Sequence, residues 1–87
     1  MTHVNLSCGF EADIDEEAVQ DIEFLDALTD MQEGDPTGLS RMCNLLMSKA
    51  DRKRLYDAVR NEEGRATVEA VGAQLTELLQ QLQSKKK

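Results

Sequence analysis

From Ala18 to Met31 apolar residues return every three or four positions, at Ala18, Ile22, Leu25, Leu28 and Met31. That period lays one stripe along a helix, and Phe24 widens it. Asp15 is a good N-cap, and Glu16 and Glu17 put negative charge where the helix dipole favours it. The pattern predicts a helix from Glu16 to about Gln32, stopped at Glu33-Gly34, where glycine can take the left-handed capping conformation.

Asp35-Pro36 restarts the chain, since Asp caps well and Pro is tolerated at the first helical position. A short second helix is expected from Pro36 to about Met47, with Leu39, Met42, Cys43, Leu45, Leu46 and Met47 as apolar members and Gly38 weakening its start. A third short helix begins at Ser48 or Asp51. It turns Leu55, Tyr56 and Val59 inward and Arg52, Lys53, Arg54 and Arg60 outward. Asn61-Glu62-Glu63-Gly64 has the composition of a turn. The last helix is capped by Thr67 and carries Val68, Val71, Leu75, Leu78 and Leu82 in alternating steps of three and four, broadened by Leu79. Gly72 lies beside this seam and costs about 1 kcal/mol against Ala unless another backbone approaches closely.

Ahead of the helices, Phe10 to Asp15 alternates apolar and acidic, which is strand periodicity. With no evident partner strand, the segment is expected to be an extended arm that lays Phe10 and Ile14 on an apolar surface. The fold class expected is therefore all-α: a small single-domain bundle of about four helices with an extended N-terminal arm. Residues 1–15 form the arm, 16–83 the helical domain and 84–87 a basic tail.

Composition agrees. Phe10, Phe24 and Tyr56 are the whole aromatic set of the 87 residues, so the core must be built from aliphatic and Met side chains, which favours packed helices over a sheet. No apolar run approaches the roughly 18–20 residues that span a bilayer, and no basic region followed by an apolar stretch opens the chain. A cytoplasmic protein with Cys8 and Cys43 as free thiols is expected.

Charge is segregated. Eleven carboxylates and no lysine or arginine lie between Met1 and Ser40; ten bases against six acids follow from Arg41 to Lys87. The acidic half repels nucleic acid and anionic membrane, and the net charge of -7 favours solubility.

Catalytic, cofactor and metal sites are not expected. A calcium loop counted from Asp13 would need glycine and a bidentate acid where Ala18 and Phe24 stand. His3, Cys8 and Cys43 lack the spacing of zinc ligands, and His3, in the terminal arm, leaves no base for a nucleophile. None of the five glycines is spaced as a phosphate loop. Helices two and three, with Arg52, Lys53, Arg54 and Arg60, admit a weak helix-turn-helix reading. What remains is surface for protein partners. Four apolar helix faces exceed what so small a chain can enclose, and Leu45, Leu46, Met47, Leu75, Leu78 and Leu82 are the candidates for contact.

The succession of Asp-Ile-Glu-Phe-Leu-Asp-Ala-Leu (21–28), Glu-Gly-Asp-Pro (33–36), a short leucine-rich helix, Asp-Arg-Lys-Arg-Leu-Tyr-Asp-Ala-Val-Arg (51–60) and Asn-Glu-Glu-Gly-Arg-Ala-Thr-Val-Glu-Ala-Val (61–71) resembles the small tail assembly chaperones of long-tailed phages and prophages of Gram-positive bacteria. The likeness spans about Phe10 to Leu82 and lies in layout rather than in a diagnostic motif. It implies a non-catalytic α-helical protein of the bacterial host cytoplasm, absent from the mature virion. Such a protein binds the tape measure protein, and in some cases the tail tube protein, during assembly. The residues and charge themselves point to no cofactor, no nucleic acid and no membrane, and the seam of the last helix offers self-association with a second copy. The family often makes a longer product by ribosomal frameshifting, and Lys85-Lys86-Lys87 can be encoded by a slippery adenine run. The alternative from a different class is a small acidic phage regulator, either a weak DNA binder or a DNA-mimic inhibitor.

Overall fold

The computed structural model describes residues 1–84. Lys85, Lys86 and Lys87, and with them most of the expected basic tail, lie outside the described residues. The chain opens with β1 (Thr2–Asn5) and β2 (Glu11–Ile14), continues through a 3-10 helix (Glu16–Gln20), and then forms α1 (Ile22–Gln32), α2 (Thr37–Leu46), α3 (Lys49–Ala58) and α4 (Val68–Ser84). It is a small, mainly helical domain that carries a two-stranded sheet, which corrects the expectation of an all-α bundle.

The N-terminal arm is a β-hairpin. Its strands pair antiparallel with Thr2 opposite Ile14, His3 opposite Asp13, Val4 opposite Ala12 and Asn5 opposite Glu11. Ser7, Cys8 and Gly9 make the loop. The Leu6 N–H donates to the Phe10 carbonyl at 2.8 Å and the Gly9 N–H to the Leu6 carbonyl at 2.9 Å. Gly9 sits at φ +96°, the left-handed residue that a three-residue hairpin loop needs. One face buries Val4, Leu6, Phe10, Ala12 and Ile14 in the same core as the helices; the other shows His3, Glu11 and Asp13 to solvent.

Far from being loose, the hairpin is fastened on both sides. On α4, the Gln81 carboxamide bonds both backbone groups of Asn5, and Glu77 accepts from the Ser7 N–H at 2.9 Å and the Ser7 hydroxyl at 2.8 Å. From α3, Arg54 donates to the Glu11 carbonyl at 2.6 Å while its guanidinium lies 5.1 Å from the centre of the Phe10 ring. Arg54 is thus a hairpin clamp, not a free outward base.

The first predicted helix is two elements. Asp15 caps the 3-10 helix, its carboxylate accepting from the Glu17 N–H at 3.0 Å, and Asp21 caps α1 in the same way, accepting from the Glu23 N–H at 2.8 Å. Asp21 itself has extended backbone, so the 3.6-residue phase does not run through it. The expected stripe is rotated as a result: Phe24 and Ala27 face the core, with Leu28 and Met31 packed partly against it, while Ile22 and Leu25 are exposed.

Gly38 holds α1 and α2 together. A Cβ there would stand 2.3 Å from the Ala27 carbonyl oxygen and 2.7 Å from the Met31 nitrogen. The glycine that looks like a weak helix start is therefore the point of closest backbone approach. Gly72 is the reverse case, with open space where a methyl group would stand. The other helix starts follow expectation: Asp35 accepts from the Thr37 N–H at 3.0 Å, the Ser48 hydroxyl from the Asp51 N–H at 3.2 Å and the Thr67 hydroxyl from the Ala70 N–H at 3.1 Å. Val71, Leu75, Leu78 and Leu82 of α4 are buried, but Val68 is exposed, so the seam begins one step later than expected.

Candidate functional site

An apolar concavity lies beside the break at Asp21. The 3-10 helix brings up Val19, α1 contributes Phe24, Leu25 and Leu28, and the C-terminal part of α4 contributes Leu79 and Leu82. Glu16 and Gln83 complete the lining of a groove of about 250 Å³. Phe24 and Leu82 are themselves buried and form its floor; Val19, Leu28 and Leu79 are half-buried. Leu25 is 47% exposed, and Ile22, three residues before it on α1, is 67% exposed. These two are the large apolar side chains of α1 that the fold leaves in water.

The six residues expected to meet a partner are distributed differently. Leu46, Met47, Leu75 and Leu78 are core residues whose side chains take part in holding the domain together. Leu82 belongs to both core and groove. Leu45 is half-buried and lines two depressions, one with Glu23, Asp26, Arg41 and Asn44 and the other with Asp15, Glu17, Ala18, Gln20 and Asp21. Val19, Leu25, Leu28, Leu79 and exposed Ile22 were not anticipated as contact residues. The extended Asp-capped junction at Asp21 was the available signal, because a cap in mid-helix resets the phase.

The acidic side chains gather around Leu45, in the two depressions on that side of the molecule, and Glu16 is the one carboxylate in the lining of the groove. Glu17, Asp21 and Glu23 have no ion-pair partner among the described residues, and Arg41 is committed to Asp30. Glu16 is held by the N-terminal amine at 3.4 Å and the Thr2 hydroxyl at 3.1 Å. Its own backbone N–H, the Thr2 hydroxyl and that amine keep its carboxyl below the usual range.

The basic residues of α3 are largely occupied by neighbours. Arg54 pairs with Asp51 as well as the hairpin, and Asp57 takes both Arg60 at 2.7 Å and Lys53 at 3.3 Å. Arg60 also donates to the Gly64 carbonyl at 2.9 Å, closing the Asn61–Gly64 turn. Arg52 is half-buried, and its Nε has no hydrogen-bond partner among the described residues.

Among the described residues there is no group of three or more His, Cys, Asp or Glu side chains placed to hold a metal ion. His3 lies on the outer face of the hairpin, with Nδ1 3.1 Å from Asp13 and Nε2 3.1 Å from Glu11. Cys8 and Cys43 are free thiols. Burial pushes the Cys43 thiol up, despite a hydrogen bond from the Tyr56 hydroxyl. No described helix is long and apolar enough to cross a membrane.

Comparison with protein-family models, with curated proteins and with solved structures returns no match.

Proposed function

We propose that this protein is a tail assembly chaperone of a long-tailed phage or prophage: a non-catalytic protein that binds the tape measure protein and keeps it soluble while the tail tube assembles. The observation that carries the reading is the apolar groove between the 3-10 helix, α1 and α4, with Leu25 exposed in its lining and Ile22 exposed three residues earlier on α1. It suits an amphipathic helix, which docks by laying its apolar face into such a groove. Covering what is exposed of two such side chains contributes roughly 1–3 kcal/mol. That is a weak, reversible contact, suited to a client that must be handed over rather than kept. The acidic block keeps the loaded complex soluble.

Two observations test this reading. The first is the DNA: a slippery adenine-rich heptamer at the codons of Lys85–Lys87, an overlapping frame and a very long helical reading frame downstream are expected. The second is co-expression with that downstream protein, which should raise its soluble yield and give a complex on a sizing column. A client that stays insoluble, with no complex formed, contradicts the proposal.

A further inference from the structure

We infer that the face of α3 formed by Lys49, Arg52, Lys53 and Tyr56, with Arg60 just past its end, is a second docking surface, and that its occupant is a short acidic segment of a partner protein. These five residues line one open depression of about 400 Å³. It shares no lining residue with the apolar groove, and the inference does not rest on the chaperone reading. Lys49, Arg52, Lys53 and Tyr56 recur in steps of three and four, so they share one face over two turns, roughly 10 Å of helix. The four cations of the lining have one carboxylate between them, Asp57, which takes both Lys53 and Arg60. Both of those pairs are exposed and therefore weak. Lys49 and Arg52 have no ion-pair partner among the described residues. Arg52 is half-buried, and its Nε is out of water with no hydrogen-bond partner among the described residues. Part of the desolvation of its guanidinium has thus been incurred on folding, so a carboxylate that reaches it gains more than it would from a fully hydrated base. Tyr56 turns its hydroxyl to Cys43, which leaves its ring as an apolar wall beside the cations. Carboxylates set around an apolar residue complement such a surface. A long polyanion does not. Past Arg60 the chain turns through exposed Glu62 and Glu63, and the whole chain carries a net charge of -7. A nucleic-acid backbone or an anionic membrane would meet that charge, whereas a segment of two or three helical turns stops short of it.

The test uses a labelled peptide of about three helical turns, with glutamates in three- and four-residue steps around one leucine, titrated against the full chain by fluorescence anisotropy. A second peptide replaces the glutamates by glutamine. The expected result is that the glutamate peptide binds at least about tenfold tighter than the glutamine peptide. Its affinity should fall with salt, because screening shortens from about 10 Å at 0.1 M to about 3 Å at 1 M. Lys49→Gln/Lys53→Gln should lose about tenfold of the affinity. Arg41→Gln/Arg65→Gln removes the same charge outside the depression and should lose less than about twofold. All four substituted side chains are exposed, and the circular dichroism melt of each variant serves as its folding control. Equal affinity for the two peptides overturns the inference. So does an equal loss in the two variants, which would mean attraction to net charge and not to this face. Duplex DNA that binds more tightly than the glutamate peptide overturns it in favour of nucleic acid. Inorganic phosphate that displaces the peptide where chloride of the same ionic strength does not overturns it in favour of a phosphate site. A dimer of the chain alone that Lys49→Gln/Lys53→Gln dissociates overturns it too, by naming a second copy's acidic side as the occupant. None of these outcomes bears on the apolar groove, so the chaperone reading stands or falls separately.

Discussion

The Gln81 side chain closes the open edge of β1: its Nε2 donates to the Asn5 carbonyl at 2.8 Å and its Oε1 accepts from the Asn5 N–H at 3.1 Å. One carboxamide on a helix thus does for Asn5 what a neighbouring strand would do. It satisfies two edge groups and blocks them as a template for another chain. Gln81→Ala should destabilise the protein by about 1–2 kcal/mol, the worth of two exposed hydrogen bonds. Hydrogen exchange should show the Asn5 amide losing protection before the amides of α2. An unchanged melt with unchanged Asn5 protection would mean that the hairpin does not depend on this contact.

Two glycines in helices should respond oppositely to the same change. Gly38→Ala drives a methyl group into the backbone of α1 at Ala27 and Met31, and should cost about 3 kcal/mol as the two helices part. Gly72→Ala meets nothing and should stabilise by about 1 kcal/mol through helix propensity and a less flexible unfolded chain. Denaturant melts of the pair decide the point, and equal effects would contradict the packing described.

Stability should depend on pH at both ends of the scale. Hydrogen bonds to Asp13 and then Glu11 raise the pKa of His3 above its ordinary 6.5. A raised folded value means that the stabilisation is complete below 6.5 and is lost as pH rises through the folded pKa. The melting temperature should drift down over that window, and His3→Gln should flatten the drift. On the acid side, Arg60 and Lys53 lower the pKa of Asp57, and Thr37 lowers that of Asp35. Their stabilisation is present above 3.8 and is lost as pH falls through the depressed folded values. All these groups are exposed, so each effect should be small and should fade with salt.

The cysteines should differ in reactivity. Cys43 is buried, and its thiol is pushed up by that burial, whereas Cys8 is only partly covered in the hairpin loop. An aromatic disulfide reagent should modify Cys8 in the native protein and reach Cys43 only on unfolding. Equal native rates would contradict the placement of Cys43 in the core.

Much of the helical part was legible in the chain. Asp35, Ser48 and Thr67 cap the helices they were expected to cap, and Val71, Leu75, Leu78 and Leu82 face inward at the predicted spacing. The hairpin was half legible. Phe10 to Ile14 shows its alternation, but β1 has Val4 as its one buried side chain, too little for a period. Its partner is recognisable only through the Ser7-Cys8-Gly9 loop. The groove was hidden for a different reason. Carrying a 3.6-residue phase through Asp21 turns Ile22 and Leu25 inward on paper, whereas the 3-10 helix has about three residues per turn and the cap at Asp21 restarts the count. The pattern therefore sends to the core a surface that the fold leaves apolar, and offers as contact residues the leucines Leu75 and Leu78 that the fold buries.

The central claim is that the client lies in the groove, and site-specific photo-cross-linking tests it most directly. A benzophenone side chain at position 25, in the lining of the groove, and another at position 62, in the exposed Asn61–Gly64 turn, would each be introduced into the chain co-expressed with the proposed tape measure client. A client seated in the groove predicts a cross-link to that protein from position 25 and none from position 62. Cross-links from position 62 alone, with position 25 silent in a complex that forms, would contradict it.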